Sequence, residues 1–518
     1  MRRTRLVAAL AVSGLLLAAC ATLHTTPGWT PRPAAEPDLV LAVDAADPPP
    51  PAVADGLDTR LLYTADPGAG VGARWAEIPG NPRFNEELRA RVKDAIDAQA
   101  AATGVRFRPA ADAPGGSRGC APGAASRPAA EIAADPALTP QTGGPTVTIV
   151  CEIAAASGTV LAESLRIVAA VAGEVLTDTT RLYYADTAGE FLTTADTLLT
   201  DDGLRTLLAR VVQSLKVGAG ALEPQMKEDP ASFPIEQLRA WFADFSFGAD
   251  GSLTVRLPEG FSTAELERLA DVPPTSTVAV TVPAADASAL LSADGKRVQS
   301  ALASGAPLTL PTAPARGQED VDCAFFACIA LTYDDGPGPY TADVLDTLAS
   351  RRSAATFFLQ GVYVSRYRSL LLRMRDEGHQ LANHTWNHPD LRKLPAPEIA
   401  DQIARTNALI RSITGTTPSM FRPPYGAYDD TVLAAAGLPA ILWSRDTNDW
   451  QRPGDAALYE RAVTLAKPGD IVLMHDVHQS TARMAAPIID GLLDRGFTLV
   501  TVEQILGGTP AAGTATKR

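Results

Sequence analysis

Ile329-Ala330-Leu331-Thr332-Tyr333 runs straight into Asp334-Asp335-Gly336-Pro337-Gly338-Pro339-Tyr340-Thr341. An apolar run that ends in Gly and Pro predicts a strand over 329–333 and a sharp exit from it. Thr341 stands where a helix cap is expected, ahead of Val344, Leu345 and Leu348. Strand, turn and helix make one β-α unit, and the turn carries two adjacent carboxylates.

The same alternation continues to the C-terminus. Strands are expected at 355–359, 380–383, 420–422, 441–444, 471–474 and 498–501. Helices are expected at 365–375, 397–413, 430–436 and near 481–495. Repeated β-α units imply parallel strands with helices outside, as a barrel or an open sheet. In such barrels chemistry gathers at the C-terminal strand ends. Asp334, Asp335, His384, Arg422, Asp446 and His475 all fall there.

Asp335 with His384 and His388 forms a ligand set of two nitrogens and one oxygen. That set leaves room for water, as a catalytic metal site does. Asp334 is left over beside it, free to act as a base. Each piece also has a plainer reading. The two histidines could be a surface pair on one helix face, Asp446 and Asp449 could cap a turn, and Trp450 could be core.

Taken together, T-Y-D-D-G-P (332–337), H-T-W-N-H (384–388), R-P-P-Y-G (422–426), D-T-N-D-W (446–450) and I-V-L-M-H-D (471–476) resemble the polysaccharide deacetylase family. This is carbohydrate esterase family 4, also called the NodB-homology domain. The resemblance covers 322–506 and implies a distorted (β/α) barrel of about seven parallel strands. It implies that Asp335, His384 and His388 hold a divalent cation, Zn2+ first and Co2+ as the alternative. It makes Asp334 the base and Arg422 the partner that keeps it ionised. His475 becomes the acid that protonates the leaving amine, and Asp446 the residue that orients it. The Tyr425 backbone N–H would serve the oxyanion, with Trp450 and Leu473 walling the acetyl slot. Two positions depart from the family pattern. Tyr333 replaces a commoner Phe and is expected to point away from the site. Arg445 could compete for Asp446.

The N-terminus points to export. Arg2, Arg3 and Arg5 precede an apolar run, Leu6 to Ala19, that is short for a bilayer span. It ends Leu17-Ala18-Ala19-Cys20, which resembles a bacterial lipoprotein cleavage box. Residues 1–20 are therefore expected to be a lipoprotein signal, with the membrane held through lipidated Cys20. Outside the cytoplasm, the remaining cysteines are expected as Cys120–Cys151 and Cys323–Cys328 disulfides.

The 518 residues allow about two to four domains. Their 46% hydrophobic and 20% charged content is ordinary globular material. A net charge of −14 argues against a nucleic-acid partner. Residues 21–58, rich in Pro and Ala, read as a tether. Residues 59–283 read as an α+β region of one or two small domains, with a helix over 85–99, a strand pattern from Val147 to Ile153, a hairpin near 245–257 and a loop insertion at 109–145. Its element order resembles extracellular domains that precede the catalytic domain in some membrane-anchored wall deacetylases, and domains of certain anti-sigma-factor proteins. Residues 284–320 read as a linker, 321–508 as the catalytic domain and 509–518 as a disordered tail.

The resulting expectation is a lipid-anchored hydrolase on the outer face of a bacterial cell membrane, in the wall zone. It would remove N-acetyl groups from a wall glycan, most directly peptidoglycan N-acetylglucosamine or N-acetylmuramic acid. An O-acetyl esterase of the xylan type is the alternative within enzymes. A catalytically idle wall-binding or sensing lipoprotein is the alternative outside them.

Overall fold

The structure is a computed structural model that describes residues 41–45, 52, 54–115, 118–269 and 275–517. The signal segment, Cys20 and residues 21–40 of the expected tether lie outside the described residues. No helix among the described residues is long and apolar enough to cross a membrane.

Among the described residues the N-terminal half is α+β and contains two sheets. A six-stranded sheet runs Asp58–Thr64, Gly70–Glu77, Pro145–Ser157, Val160–Val171, Glu174–Asp186 and Leu192–Thr194 in spatial order. Only the pair Gly70–Glu77 and Pro145–Ser157 is parallel. The connection between these two strands holds the helix Pro82–Thr103, capped by the Asn81 side chain, which buries Phe84, Leu88, Val92 and Ile96. That is the i, i+4 stripe visible in the sequence. The Cys120–Cys151 disulfide ties the long insertion to the sheet. A second, four-stranded antiparallel sheet joins Ala42–Ala45, Val278–Val282, Leu253–Arg256 and Phe245–Phe247.

Three expected boundaries change. The tether does not stay unpacked to residue 58. Leu41 is buried, its N–H donates to Ser214 Oγ at 2.9 Å, and Ala42–Ala45 pairs with Val278–Val282. The side chains of Ala42–Ala45 are exposed, so this edge strand is held by its backbone pairing with Val278–Val282 and by buried Leu41 ahead of it. The stretch 284–320 is largely not a linker, because it forms helices Ala284–Leu290 and Ala293–Ser304. Its Ala-rich composition favours helix, Ser292 caps the second helix, and Ala287, Leu290 and Val298 are buried. The tail pairs Ala515–Thr516 with Ala440–Ile441 instead of lying free.

The C-terminal half is a distorted barrel of parallel strands. Ala327–Asp334 lies between Thr356–Leu359 and Ile471–His475. Gln380–Asn383 pairs beyond Thr356–Leu359, and Arg445–Asp446 beyond Ile471–His475. Phe421 closes the ring by bridging Asn383 on one side and Ala440 on the other. Phe497–Leu499 pairs with the first residues of Ala327–Asp334. The strand expected at 420–422 shrinks to the Phe421 bridge, since Pro418, Pro423 and Pro424 crowd it and lack N–H donors. Helices Thr341–Ser350, Arg368–Asp376, Ala396–Thr414 and Gln479–Asp494 cover the outside. Thr341 is the first residue of its helix, not its cap. Its hydroxyl instead accepts from the Gly338 N–H and donates to Asp476.

The α+β half docks at the N-terminal end of the barrel strands. Phe325 and Phe326, just ahead of the first strand, meet Trp75 with ring centroids 6.5 and 6.2 Å away. The Cys323–Cys328 disulfide braces this corner. Asp58 receives Arg352 at 2.7 Å and Arg316 at 3.1 Å. A cavity of about 540 Å³ opens at the seam, and Arg60, Arg118, Arg316, Arg351 and Arg352 in its wall are all paired with carboxylates. The seam therefore lies at the opposite end of the barrel from the motif residues.

Candidate active site

At the C-terminal strand ends the chain leaves regular structure through strained turns. Asp335 has φ +70°, Thr385 +67°, His388 +64° and Tyr425 +62°. Left-handed backbone at residues with a Cβ costs energy and clusters where side chains must be aimed. His384 and His388 stand on such a turn directly after Gln380–Asn383, so they do not share a helix face. The turn is held by the Thr385 N–H on Asn383 Oδ1 at 2.7 Å and the His388 N–H on Thr385 Oγ1 at 3.1 Å.

These turns bring Asp335, His384 and His388 together. Nε2 of each histidine is 3.5 Å from the same oxygen, Asp335 Oδ1. One ligand atom from each residue falls within 4.8 Å of the others. His384 Nδ1 lies 2.8 Å from the Arg422 carbonyl oxygen, so Nδ1 donates there and the ring's Nε2 is turned toward Asp335. Burial, with His384 beside it, pulls the His388 pKa below its ordinary value. Burial pushes the Asp335 carboxyl up, but the surrounding imidazoles outweigh it and hold the group below the usual carboxylate range. Two imidazole nitrogens and one carboxylate oxygen converging on one point are donor types that a divalent cation takes, so the donor set fits one.

Asp334 is buried behind this cluster. Its Oδ1 accepts from Arg422 Nη1 at 2.8 Å, and Oδ2 is 3.8 Å from His384 Nε2. Arg422 is fully buried. Its guanidinium also donates to the Ile441 carbonyl and Thr332 Oγ1, and it stacks 4.0 Å over Phe358. The pairing expected between Arg422 and Asp334 is thus present.

On the other flank, His475 Nε2 is 4.0 Å from Asp335 Oδ2. Its orienting partner is Asp449, not Asp446. Asp449 Oδ1 lies 2.8 Å from His475 Nδ1, and Oδ2 accepts the His475 backbone N–H at 2.7 Å and Thr481 Oγ1 at 2.7 Å. Burial opposes charge on His475, but its hydrogen bond to Asp449 and the nearby carboxylates raise its pKa to about 9. Asp446 instead accepts the Asn448 N–H and sits near Arg422. Asn448, at φ +50°, turns the chain between the two carboxylates, and Asp449 is the one that reaches His475. Arg445 does not compete for Asp446, because Asp470 takes it at 2.7 Å.

Tyr425 and Trp450 stand at the rim of the site. The Tyr425 ring stands 4.6 Å from His388 and is largely exposed. Trp450 is half exposed beside Asp449, and buried Leu473 is two residues before His475 on the same strand face. Tyr333 points away into the outer core, stacked 5.2 Å from Phe357. His379 is structural, with Nδ1 accepting the Ala355 N–H, and His478 lies 5.6 Å from His475 at the rim.

The fold and site together define a barrel domain carrying an Asp-His-His cluster that could hold a cation, flanked by a paired carboxylate and a paired imidazole. The family model for polysaccharide deacetylase matches residues 325–439. The chain is 38% identical over 196 residues to a chitooligosaccharide deacetylase from Bradyrhizobium, covering 34% of this chain and 90% of that protein. It is 40% identical over 180 residues to the peptidoglycan-N-acetylglucosamine deacetylase PgdA of Listeria monocytogenes, covering 35% of this chain and 39% of the relative. Among solved structures, peptidoglycan deacetylase PdaC from Bacillus subtilis aligns at 38% identity, 36% of this chain, 93% of that chain and TM-score 0.35. The chain belongs to the polysaccharide deacetylase family. It matches only about two fifths of the length of the Listeria relative.

Proposed function

We propose that this chain is a cation-dependent hydrolase that removes N-acetyl groups from a bacterial wall glycan, with peptidoglycan as the first substrate class. The observation that carries it is the convergence of Asp335, His384 and His388 between the Asp334–Arg422 pair and the Asp449–His475 pair. The named substrates of the relatives supply the glycan class. The basic start, apolar run and Cys20 support export and a lipid anchor.

Asp335, His384 and His388 would hold the cation, and zinc suits two imidazoles and one carboxylate. When bound, such an ion supplies Lewis acidity toward an amide carbonyl and makes a nearby water more acidic. Asp334, aimed by its ion pair with Arg422, would accept the proton of the attacking water. His475, charged through Asp449, delivers a proton to the departing amine nitrogen. The Tyr425 backbone N–H would serve the developing oxyanion, and Leu473 and Trp450 would flank the acetyl methyl. The intact set of these groups speaks against an idle, purely binding role.

The test is release of free amines from purified N-acetylated wall glycan, run beside acetylated xylan. Amine release from the wall glycan supports the proposal. Acetate release from xylan alone would replace it with the esterase reading.

A further inference from the structure

The two turns that carry Asp335 and the histidines meet at a residue none of the motifs contains. Gln360 follows directly on strand Thr356–Leu359, and its backbone N–H donates to the Gly336 carbonyl at 2.9 Å. The next N–H, of Gly361, donates to the Thr385 carbonyl at 3.0 Å. One short segment thus ties the D-D-G-P turn to the H-T-W-N-H turn. The Gln360 side chain is itself buried, and Nε2 donates to Asp335 Oδ1 at 2.6 Å.

That oxygen is the one on which both His384 and His388 converge. Among the described residues, Gln360 gives the Asp335 carboxylate its one side-chain hydrogen bond below 3.5 Å; the imidazole nitrogens stand 3.5 Å or more away. Asp335 sits at φ +70°, so its backbone is already strained and its side chain needs an external hold. A neutral amide suits this task. It donates a hydrogen bond without adding a charge that would repel a cation, and it leaves a lone pair on the oxygen free.

We infer that Gln360 is a positioning residue whose amide N–H fixes the Asp335 carboxylate so that the three-residue cation site is preformed. The inference rests on the cation reading of Asp335, His384 and His388 given above.

The experiment uses the full chain as wild type, Gln360→Met, which keeps length but loses the donor, and Gln360→Asn, whose amide is too short to reach. The readouts are zinc affinity against a competing chelator, the absorption spectrum of the Co2+-loaded protein, and the thermal midpoint of the metal-free protein. Both variants are expected to weaken zinc binding about 10–100-fold and to shift the Co2+ bands, with the metal-free midpoint close to wild type. Wild-type affinity and an unchanged spectrum in either folded variant would overturn the inference. A wild-type chain that binds no zinc would instead overturn the cation reading and the inference with it.

Discussion

Asp449 grips His475 twice, through Nδ1 at 2.8 Å and through the backbone N–H at 2.7 Å. The arrangement fixes the ring's tautomer and presents Nε2 to the mouth of the barrel, 4.0 Å from Asp335 Oδ2. It also sets the charge of the ring, whose pKa is raised to about 9 against the cost of burial.

A pH prediction follows from the sign of that shift. The charged form of His475 is favoured in the folded protein, so the stabilisation from this pair is fully present below the ordinary imidazole pKa of about 6.5 and is lost as pH rises through about 9. If His475 is the acid, activity falls over the same alkaline window. Asp449→Asn removes the anionic partner and is expected to move the alkaline limb of the rate profile down by about one unit or more. Asp446→Asn is expected to leave that limb in place. Rate profiles of the two variants measure the difference directly.

Asp334 and Arg422 form a pair with both groups buried. Removing one partner of such a pair leaves an uncompensated charge and costs about 3–5 kcal/mol. Arg422→Met is therefore expected to lower the thermal midpoint by many degrees. Asp334→Asn, a near isostere, is expected to cut turnover about 10²–10⁴-fold while cation binding survives. Loss of cation binding in Asp334→Asn would put that residue among the ligands instead.

The seam between the two halves gives a stability prediction independent of the chemistry. Phe326 is buried against Trp75, with Arg60 5.4 Å above its ring. Phe326→Ala is expected to cost about 3–5 kcal/mol, read as a lower denaturant midpoint. Its turnover at a temperature where it stays folded should match wild type, because the site lies at the other end of the barrel.

Legibility in the sequence followed the range of each interaction. The D-D-G-P turn was readable because Gly and Pro dictate a turn locally, and Asp334 and Asp335 are adjacent in the chain. His384 and His388 were readable as donors, but their support was not. They stand on a left-handed turn stapled by Asn383 and Thr385, which no helical spacing describes. The choice between Asp446 and Asp449 depended on the backbone of Asn448. Asn tolerates left-handed φ, so it was a signal in plain sight, but it could not say which carboxylate would swing toward His475. Gln360 carried no signal, since an amide after an apolar strand is chemically bland until the fold sets it against Asp335. The Ala-rich stretch from 284 has a linker's composition, while the buried Leu290 and Val298 decide its helices.

The most direct measurement strips the full chain with a chelator, then titrates zinc back while acetate release from an N-acetylated chito-oligomer is followed. The account predicts no activity when stripped and full recovery at one equivalent of zinc, with His384→Ala and His388→Ala failing to recover. Undiminished acetate release from the stripped protein, or recovery in those variants equal to wild type, would contradict it.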